Sequence, residues 1–372
     1  MLIRPISHDD LPALAQMASE AGPGFTSLAA GHDALARRIH RSVESFRRPV
    51  TSAGDEGYLF VLEDPETSEI MGVTGIEASV GLQQPLYHFR RQAALTGPGS
   101  GSHQEVLTAS RAYTGCSEIC TLFLRPRFRR PHAGKLLSRV RFLFMAQHPE
   151  RFASRVIAEM RGVNENGCSV FWDWLRPRFI DLDFHTVTRR VGTGDTGFIT
   201  EHLPGGPLAL QQMPAAARAV IGQVHPHTRP ALRLLEAEGF CHTGYVDLFD
   251  AGPTVEAPLP AIRSVAESIR CRIQAVADPR TELANSRRHP AAPVFAVCNT
   301  LSDGFRALVT DDATYLPGPN LLQLPQALAE RLDLGNDGAA RAVPLTAADQ
   351  VPVAQSLMHH HNQTEELRHA LR

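Results

Sequence analysis

At 372 residues the chain exceeds one average domain, and 43% hydrophobic with 20% charged residues describes an ordinary globular protein with a large core. Thirty-seven basic against 39 acidic residues leave a net charge of -2, which argues against a dedicated nucleic-acid surface, since such binding rests on neutralising phosphates. The six cysteines form no Cys-x-x-Cys pair, no run approaches the roughly 20 apolar residues that span a bilayer, and the first residues lack an apolar signal core; reduced thiols, no metal, no membrane and a cytoplasmic location are expected.

Residues 2–6 predict a short strand, and Ser7 to Asp10 cap a helix carrying Leu11, Leu14 and Met17. A glycine-rich turn holding Thr26 and Ser27, either turn residues or substrate contacts, leads to a second helix over about 32–46. Residues 58–64 and 70–78 predict a hairpin. From 81 to 116 the texture is loop-like, with a glycine-rich run at 97–102; a loop this long borders a site or reaches a partner subunit.

The stretch 117–146, SEICTLFLRPRFRRPHAGKLLSRVRFLFMA, organises the chain. An apolar run over 119–124 predicts a buried strand, residues 125–135 a basic loop, and the spacing of Leu136, Leu137, Val140, Leu143 and Phe144 a helix. A helix start exposes backbone N–H groups and a partial positive charge, so such a loop either wraps a pyrophosphate, with Arg129, Arg130 and Lys135 adding charged donors, or is a solvated connection. The segment resembles the coenzyme A loop of the GNAT-type acyl-CoA N-acyltransferases. Arg129 takes the first place of that pattern and Gly134 the last, while His132 replaces the middle glycine.

Beyond it, 155–162 predicts a buried strand, 166–175 a helix, and 179–184 a return toward the sheet. A second copy of the pattern follows, with an apolar run at 221–225, a Pro-marked helix start and a helix ending at Gly239-Phe240; either copy can hold the second coenzyme-facing helix. Residues 245–257 predict strand, turn and strand. Strand-like pieces over 272–276, 294–298 and 305–309, a helix over 321–334 and a loosely ordered tail bearing His359, His360 and His361 complete the chain. The expected fold class is α+β, a GNAT-like mixed sheet flanked by helices over 1–257, with an extra mostly-β C-terminal subdomain over 258–346 and a tail over 347–372.

Acyl transfer from a thioester to an amine needs a polarised carbonyl, an oriented amine and a path for protons. A backbone N–H at Leu122, on the central strand, can serve the first, and His225, between an apolar run and a helix start, can serve the last; His227 is an equal neighbour by context. Glu118, Glu159 and Asp247 are acidic candidates to face a guanidinium and Arg161 a basic one, although each is more often a structural charge.

The strings GYLFVLED, SEICTLFL, FMA, VIAEMRGV, GQVHP, EGF and FDAGPT, in this order, resemble the arginine N-succinyltransferases of bacterial arginine catabolism. The resemblance covers about 2–256. It implies transfer of succinyl from succinyl-CoA, a co-substrate rather than a permanently bound cofactor, to the α-amino group of L-arginine. It also implies His225 as proton donor, Leu122 as a succinyl-CoA contact, and paired subunits, homo- or hetero-oligomeric. Competing expectations are another amine acceptor such as ornithine, and a non-catalytic CoA-binding subunit.

Overall fold

The computed structural model describes residues 1–22, 28, 31–95, 103–277 and 293–345. Thr26, Ser27, the glycine-rich run at 97–102 and the tail over 347–372 lie outside the described residues. Among the described residues, no helix is long and apolar enough to cross a membrane, and no cluster of His, Cys, Asp and Glu is arranged to hold a metal.

The chain opens with β1 (Leu2–Pro5), α1 (Leu11–Ala21), α2 (His32–Arg47), β2 (Gly57–Glu63) and β3 (Ile70–Glu77). The turn from β1 into α1 is held by charge. Arg4 donates to both Asp10 oxygens at 2.7 and 2.9 Å, and Asp10 accepts the Ser7 N–H at 2.7 Å. In β2 the side chains alternate: Tyr58, Phe60 and Leu62 enter one core, while Leu59 and Val61 enter a second with Leu35, Ile39 and Val43 of α2.

The segment 81–116 is not a loop. It holds β4 (His88–Leu95) and β5 (His103–Ser110), an antiparallel pair registered from His88 opposite Ser110 to Leu95 opposite His103. The strands escape sequence reading because few of their residues are apolar and backbone pairing carries the hairpin; an Arg91–Glu105 cross-strand ion pair at 2.7 Å adds to it.

Next come β6 (Ser117–Leu124), α3 (Ala133–Gln147), β7 (Arg155–Glu159), α4 (Val170–Leu175) and α5 (Phe184–Gly192). The expected return toward the sheet at 179–184 instead leads into α5, because Asp183 caps that helix by accepting the Thr186 N–H at 2.8 Å. Then follow α6 (Gly197–His202), β8 (Leu208–Ala209), α7 (Ala215–Val220), α8 (Arg229–Glu236), β9 (Cys241–Val246) and β10 (Pro253–Pro258). The run at 221–225 forms only a single bridge, Gly162 with Val224, since Gly222 bends the chain at φ 73° and Pro226 removes a donor.

The C-terminal part contains α9 (Arg263–Glu267), β11 (Ile269–Val276), β12 (Phe295–Asn299), β13 (Ala307–Thr310), β14 (Thr314–Leu316), β15 (Leu321–Pro325), α10 (Gln326–Arg331) and β16 (Ala339–Pro344). The helix expected over 321–334 is therefore half strand. β15 pairs in parallel with β11, from Arg272 opposite Leu321 onward, and Pro325 ends it.

All strands join one mixed sheet of sixteen, ordered β14-β15-β11-β16-β12-β13-β1-β2-β3-β6-β7-β10-β9-β4-β5-β8. The C-terminal strands enter it through β13, whose Leu308 pairs with Leu2.

Helix α3 is the most deeply set helix. Leu136, Leu137, Val140, Leu143 and Phe144 are all 0% exposed. Gly72 of β3 lets the helix close on the sheet, because an added Cβ would lie 2.6 Å from the Phe123 carbonyl and 2.9 Å from Leu137. Phe144 meets Phe46, Phe60 and Phe305 edge-on, with centroids 5.2–5.4 Å apart, joining α2, the sheet and the C-terminal strands. Phe144→Ala is expected to cost about 3–5 kcal/mol of unfolding free energy, read from the denaturant midpoint. At the other end His132 caps α3 in the left-handed region, φ 66°, with a buried Nδ1 that has no hydrogen-bond partner. His132→Gly is expected to raise stability by about 1 kcal/mol; a lower melting temperature would show that the imidazole supports the turn.

Candidate active site

The site begins where two strands part. Parallel β6 and β7 pair only at Ser117 with Val156 and Glu118 with Ile157, after which β7 continues against β10 alone. On its other edge β6 carries a bulge. Register against β3 passes from Gly75–Cys120 to Val73–Phe123, so Thr121 and Leu122 together face Thr74, and Thr121 adopts φ 56°. A bulge leaves one residue out of the ladder and re-aims the strand. Leu122, the expected acyl-donor contact, sits on it.

A cavity of about 190 Å³ occupies this gap, lined by Glu118 to Leu122 of β6, Ala158 to Arg161 at the end of β7, Arg141 of α3, and Asp247 and Phe249 beyond β9. A second cavity of about 520 Å³ shares Glu159, Asp247 and Phe249 with it and extends to Arg37, Arg38 and Arg41 of α2. The space thus passes from the α3 side of the sheet to the α2 side.

Three carboxylates, Glu118, Glu159 and Asp247, line the cavity in the gap, the last two on the wall it shares with the second. Burial, then Glu159 and Glu77, pushes the Glu118 carboxyl well above the usual carboxylate range. Burial and Glu159 raise Asp247 against two backbone N–H donors, those of Phe249 and Asp250, that favour its charged form. Glu159 itself lies 2.7 Å from Nε2 of His88, a fully buried imidazole on β4. Sequence reading named these three carboxylates as candidate partners of a guanidinium, each more often a structural charge; His88 was missed because its strand read as loop.

The basic loop before α3 sorts its arginines by partner. Arg125 is buried and binds Glu20, with a closest approach of 2.6 Å; Arg127 pairs with Glu69, and Arg130 reaches Asp64 at 3.5 Å. Arg129 is exposed and makes no ion pair among the described residues. Gly134 lies in the first turn of α3, where an added Cβ would meet nothing within 4 Å, so space stands open over the backbone. Lys135 is the next residue, half-buried. These three expected coenzyme contacts stand together at the helix start and do not line the cavity in the sheet.

His225 is held beside that cavity rather than in its wall. Its N–H donates to the carbonyl of cavity-lining Arg161 at 2.8 Å, and its Nδ1 accepts the His227 N–H at 3.2 Å. With Nδ1 accepting, the neutral ring carries its hydrogen on Nε2. Burial, Arg161 and His227 hold its pKa below the ordinary histidine value, so the ring is neutral at pH 7. His227 is exposed and turned to the His225 ring, with centroids 5.0 Å apart.

Comparison with known proteins identifies the family. The family profile described as arginine N-succinyltransferase beta subunit matches residues 1–264. The arginine N-succinyltransferase of Yersinia pseudotuberculosis serotype O:3 (strain YPIII) is 38% identical over 353 residues, 94% of this chain and 99% of that protein. The one from Salmonella newport (strain SL254) is 42% identical over 271 residues, 72% of this chain and 78% of that protein. The structure of arginine/ornithine succinyltransferase subunit AI from Pseudomonas aeruginosa matches with a TM-score of 0.81 at 32% identity, covering 93% of this chain and 99% of that one. The chain belongs to the arginine N-succinyltransferase family.

Proposed function

We propose that the protein transfers the succinyl group of succinyl-CoA to the α-amino group of L-arginine, releasing N2-succinylarginine and coenzyme A. The observation that carries this reading is the cavity through the β6–β7 gap, which offers a bulged backbone to a thioester and a wall of three carboxylates to a cationic amino acid. In this reading Arg129, Gly134 and Lys135 hold the coenzyme pyrophosphate at the start of α3. The Leu122 backbone faces the thioester carbonyl, and the amine attacks its carbon.

Each turnover moves one proton from the attacking amine to the departing sulfur. His225, neutral at rest, takes the proton from the ammonium of the tetrahedral adduct and, as the imidazolium, gives a proton from Nε2 to the departing thiolate, so no net charge accumulates. Glu118, Glu159 and Asp247 take the guanidinium, and Arg161, whose Nε is buried without a partner, takes the α-carboxylate. Residues 1–257 form the acyltransferase unit in this reading. The strands over 258–346 buttress it, since Phe305 and Ala307 complete the core under α3.

Thiol release from succinyl-CoA by the purified protein, with the product identified by mass, tests the reaction. Release is expected only with L-arginine; release with no amine would refute it. Ornithine in place of arginine checks the nearest alternative acceptor. His225→Ala is expected to lower kcat by about 100-fold or more while the Kd for succinyl-CoA changes little; an unchanged kcat would remove His225 from the mechanism.

Arginine binding carries a pH signature. Folded-state pKa values of Glu118 and Asp247 are raised, so the free site holds extra protons above the ordinary carboxylate range. A guanidinium favours the ionised forms, so binding expels those protons and tightens as pH rises above that range. Calorimetry in buffers of different ionisation enthalpy is expected to show proton release, and proton uptake would count against the carboxylate wall.

A further inference from the structure

Of the arginines around the two cavities, one has no acidic partner and no solvent. Arg141 of α3 lines the cavity in the β6–β7 gap and is 2% exposed. Its Nε donates to the Ser138 carbonyl at 3.0 Å and its Nη2 to Ser138 Oγ at 3.0 Å, and it lies against the Phe142 ring at 5.6 Å. Among the described residues no carboxylate stands within 4.0 Å of it. Glu238, the carboxylate whose charge acts on it, is taken by Arg139 at 2.9 Å and by Arg263 at 3.4 Å.

Two neutral acceptors on its own helix do not offset the desolvation of a guanidinium, and buried cations are ordinarily paired. Burial draws the group down to about 10, the direction expected of a cation short of an anion. Of the other cavity arginines, Arg37 is exposed and Arg41 pairs with Glu77. Arg38 donates to Glu77 at 3.4 Å and to Thr121 Oγ1 at 3.2 Å, and Arg161 donates to Asn164 at 2.6 Å beside His225.

Position narrows the anion. Ile119 packs into the core under α3, so by strand alternation Glu118 and Cys120 face the α2 side, whereas Arg141 enters the gap from α3 itself. The cation is therefore set on the opposite side of the sheet from the carboxylate wall. It is also on the helix whose first turn carries Gly134 and Lys135, about 9 Å of helix rise from Lys135. An anion held there belongs to the acyl donor.

We propose that Arg141 reads the distal carboxylate of the donor's succinyl group and so decides which acyl chain is transferred. This inference rests on the functional reading above. A bidentate guanidinium–carboxylate pair in a buried cavity discriminates strongly against a donor that ends in a methyl group, because that donor leaves the buried cation unpaired.

The test compares succinyl-CoA with butyryl-CoA, which has four acyl carbons and no carboxylate, at saturating L-arginine. Wild type is expected to favour succinyl-CoA. Arg141→Met is expected to lower the succinyl-to-butyryl ratio of kcat/KM by about 100-fold, and Arg141→Lys to restore part of it. An unchanged ratio in Arg141→Met overturns the proposal. Wild type inactive with succinyl-CoA would instead overturn the functional reading. Should neither variant fold, a crystal structure of wild type with a non-hydrolysable succinyl-CoA analogue decides: a carboxylate within hydrogen-bond distance of Arg141 supports the proposal, and one lodged elsewhere ends it.

Discussion

The separation of β6 from β7 after Glu118 is the constraint on which the rest of the molecule depends. Paired strands satisfy each other's backbone groups, so two parallel strands that part after two pairings leave edges that need other partners. β7 finds β10 on its far side, through five consecutive pairings from Thr254–Glu159 to Pro258–Arg155. β6 keeps β3, but only by way of the bulge at Thr121. The gap is held open by both flanks at once, which makes it a permanent feature of the fold rather than a local fluctuation.

Holding a gap open in the middle of a sheet demands rigidity below it, and α3 supplies that. The helix is buried along most of its length and carries the aromatic contacts of Phe144. It also carries Arg139, whose ion pair with Glu238 at 2.9 Å is buried on both sides; Glu238 in turn accepts the Ser264 N–H at 2.7 Å. That one carboxylate ties α3 to the end of α8 and the start of α9. A buried pair of this kind contributes little net stability, but loss of either partner strands a charge in the core, so the relative placement of the three helices is tightly specified. The C-terminal strands serve the same end, as Phe305 closes the aromatic cluster from their side.

Much of this was legible in the sequence where local chemistry and tertiary role agree. The run before Arg125, the Pro126 break and the spacing after Gly134 gave β6, the loop and α3 close to their bounds. The hairpin of β2 and β3 was equally plain. Reading failed where tertiary pairing overrides a polar pattern, as in β4 and β5, and where a parallel partner turns an apolar run into a strand, as at β15. In the site, Leu122 and His225 stood out by string and context, yet the convergence of Glu118, Glu159 and Asp247 required the sheet order β6-β7-β10-β9 that no local pattern encodes. Arg141 did leave a trace: it stands at the i+4 position between Leu137 and Phe144, a charge on the buried face of an apolar helix.

The cavity holds both signs of charge without letting them neutralise one another. Glu118 and Asp247 are pushed toward their neutral forms by burial and by Glu159, while Arg141 is drawn down by burial on the other side of the sheet. If the fold served stability alone, one of these carboxylates would pair with Arg141 and both shifts would vanish. They remain separate because the strand between them, β6, projects Glu118 to one side while α3 presents Arg141 from the other. The free protein therefore carries an electrostatic cost at each end of the cavity, and each is relieved by a ligand of opposite charge. In the proposed reading, a site that presents carboxylates to the acceptor and a cation to the donor orders the two substrates head to head across the bulge at Thr121, and orientation of that kind supplies a large part of the rate of an acyl transfer.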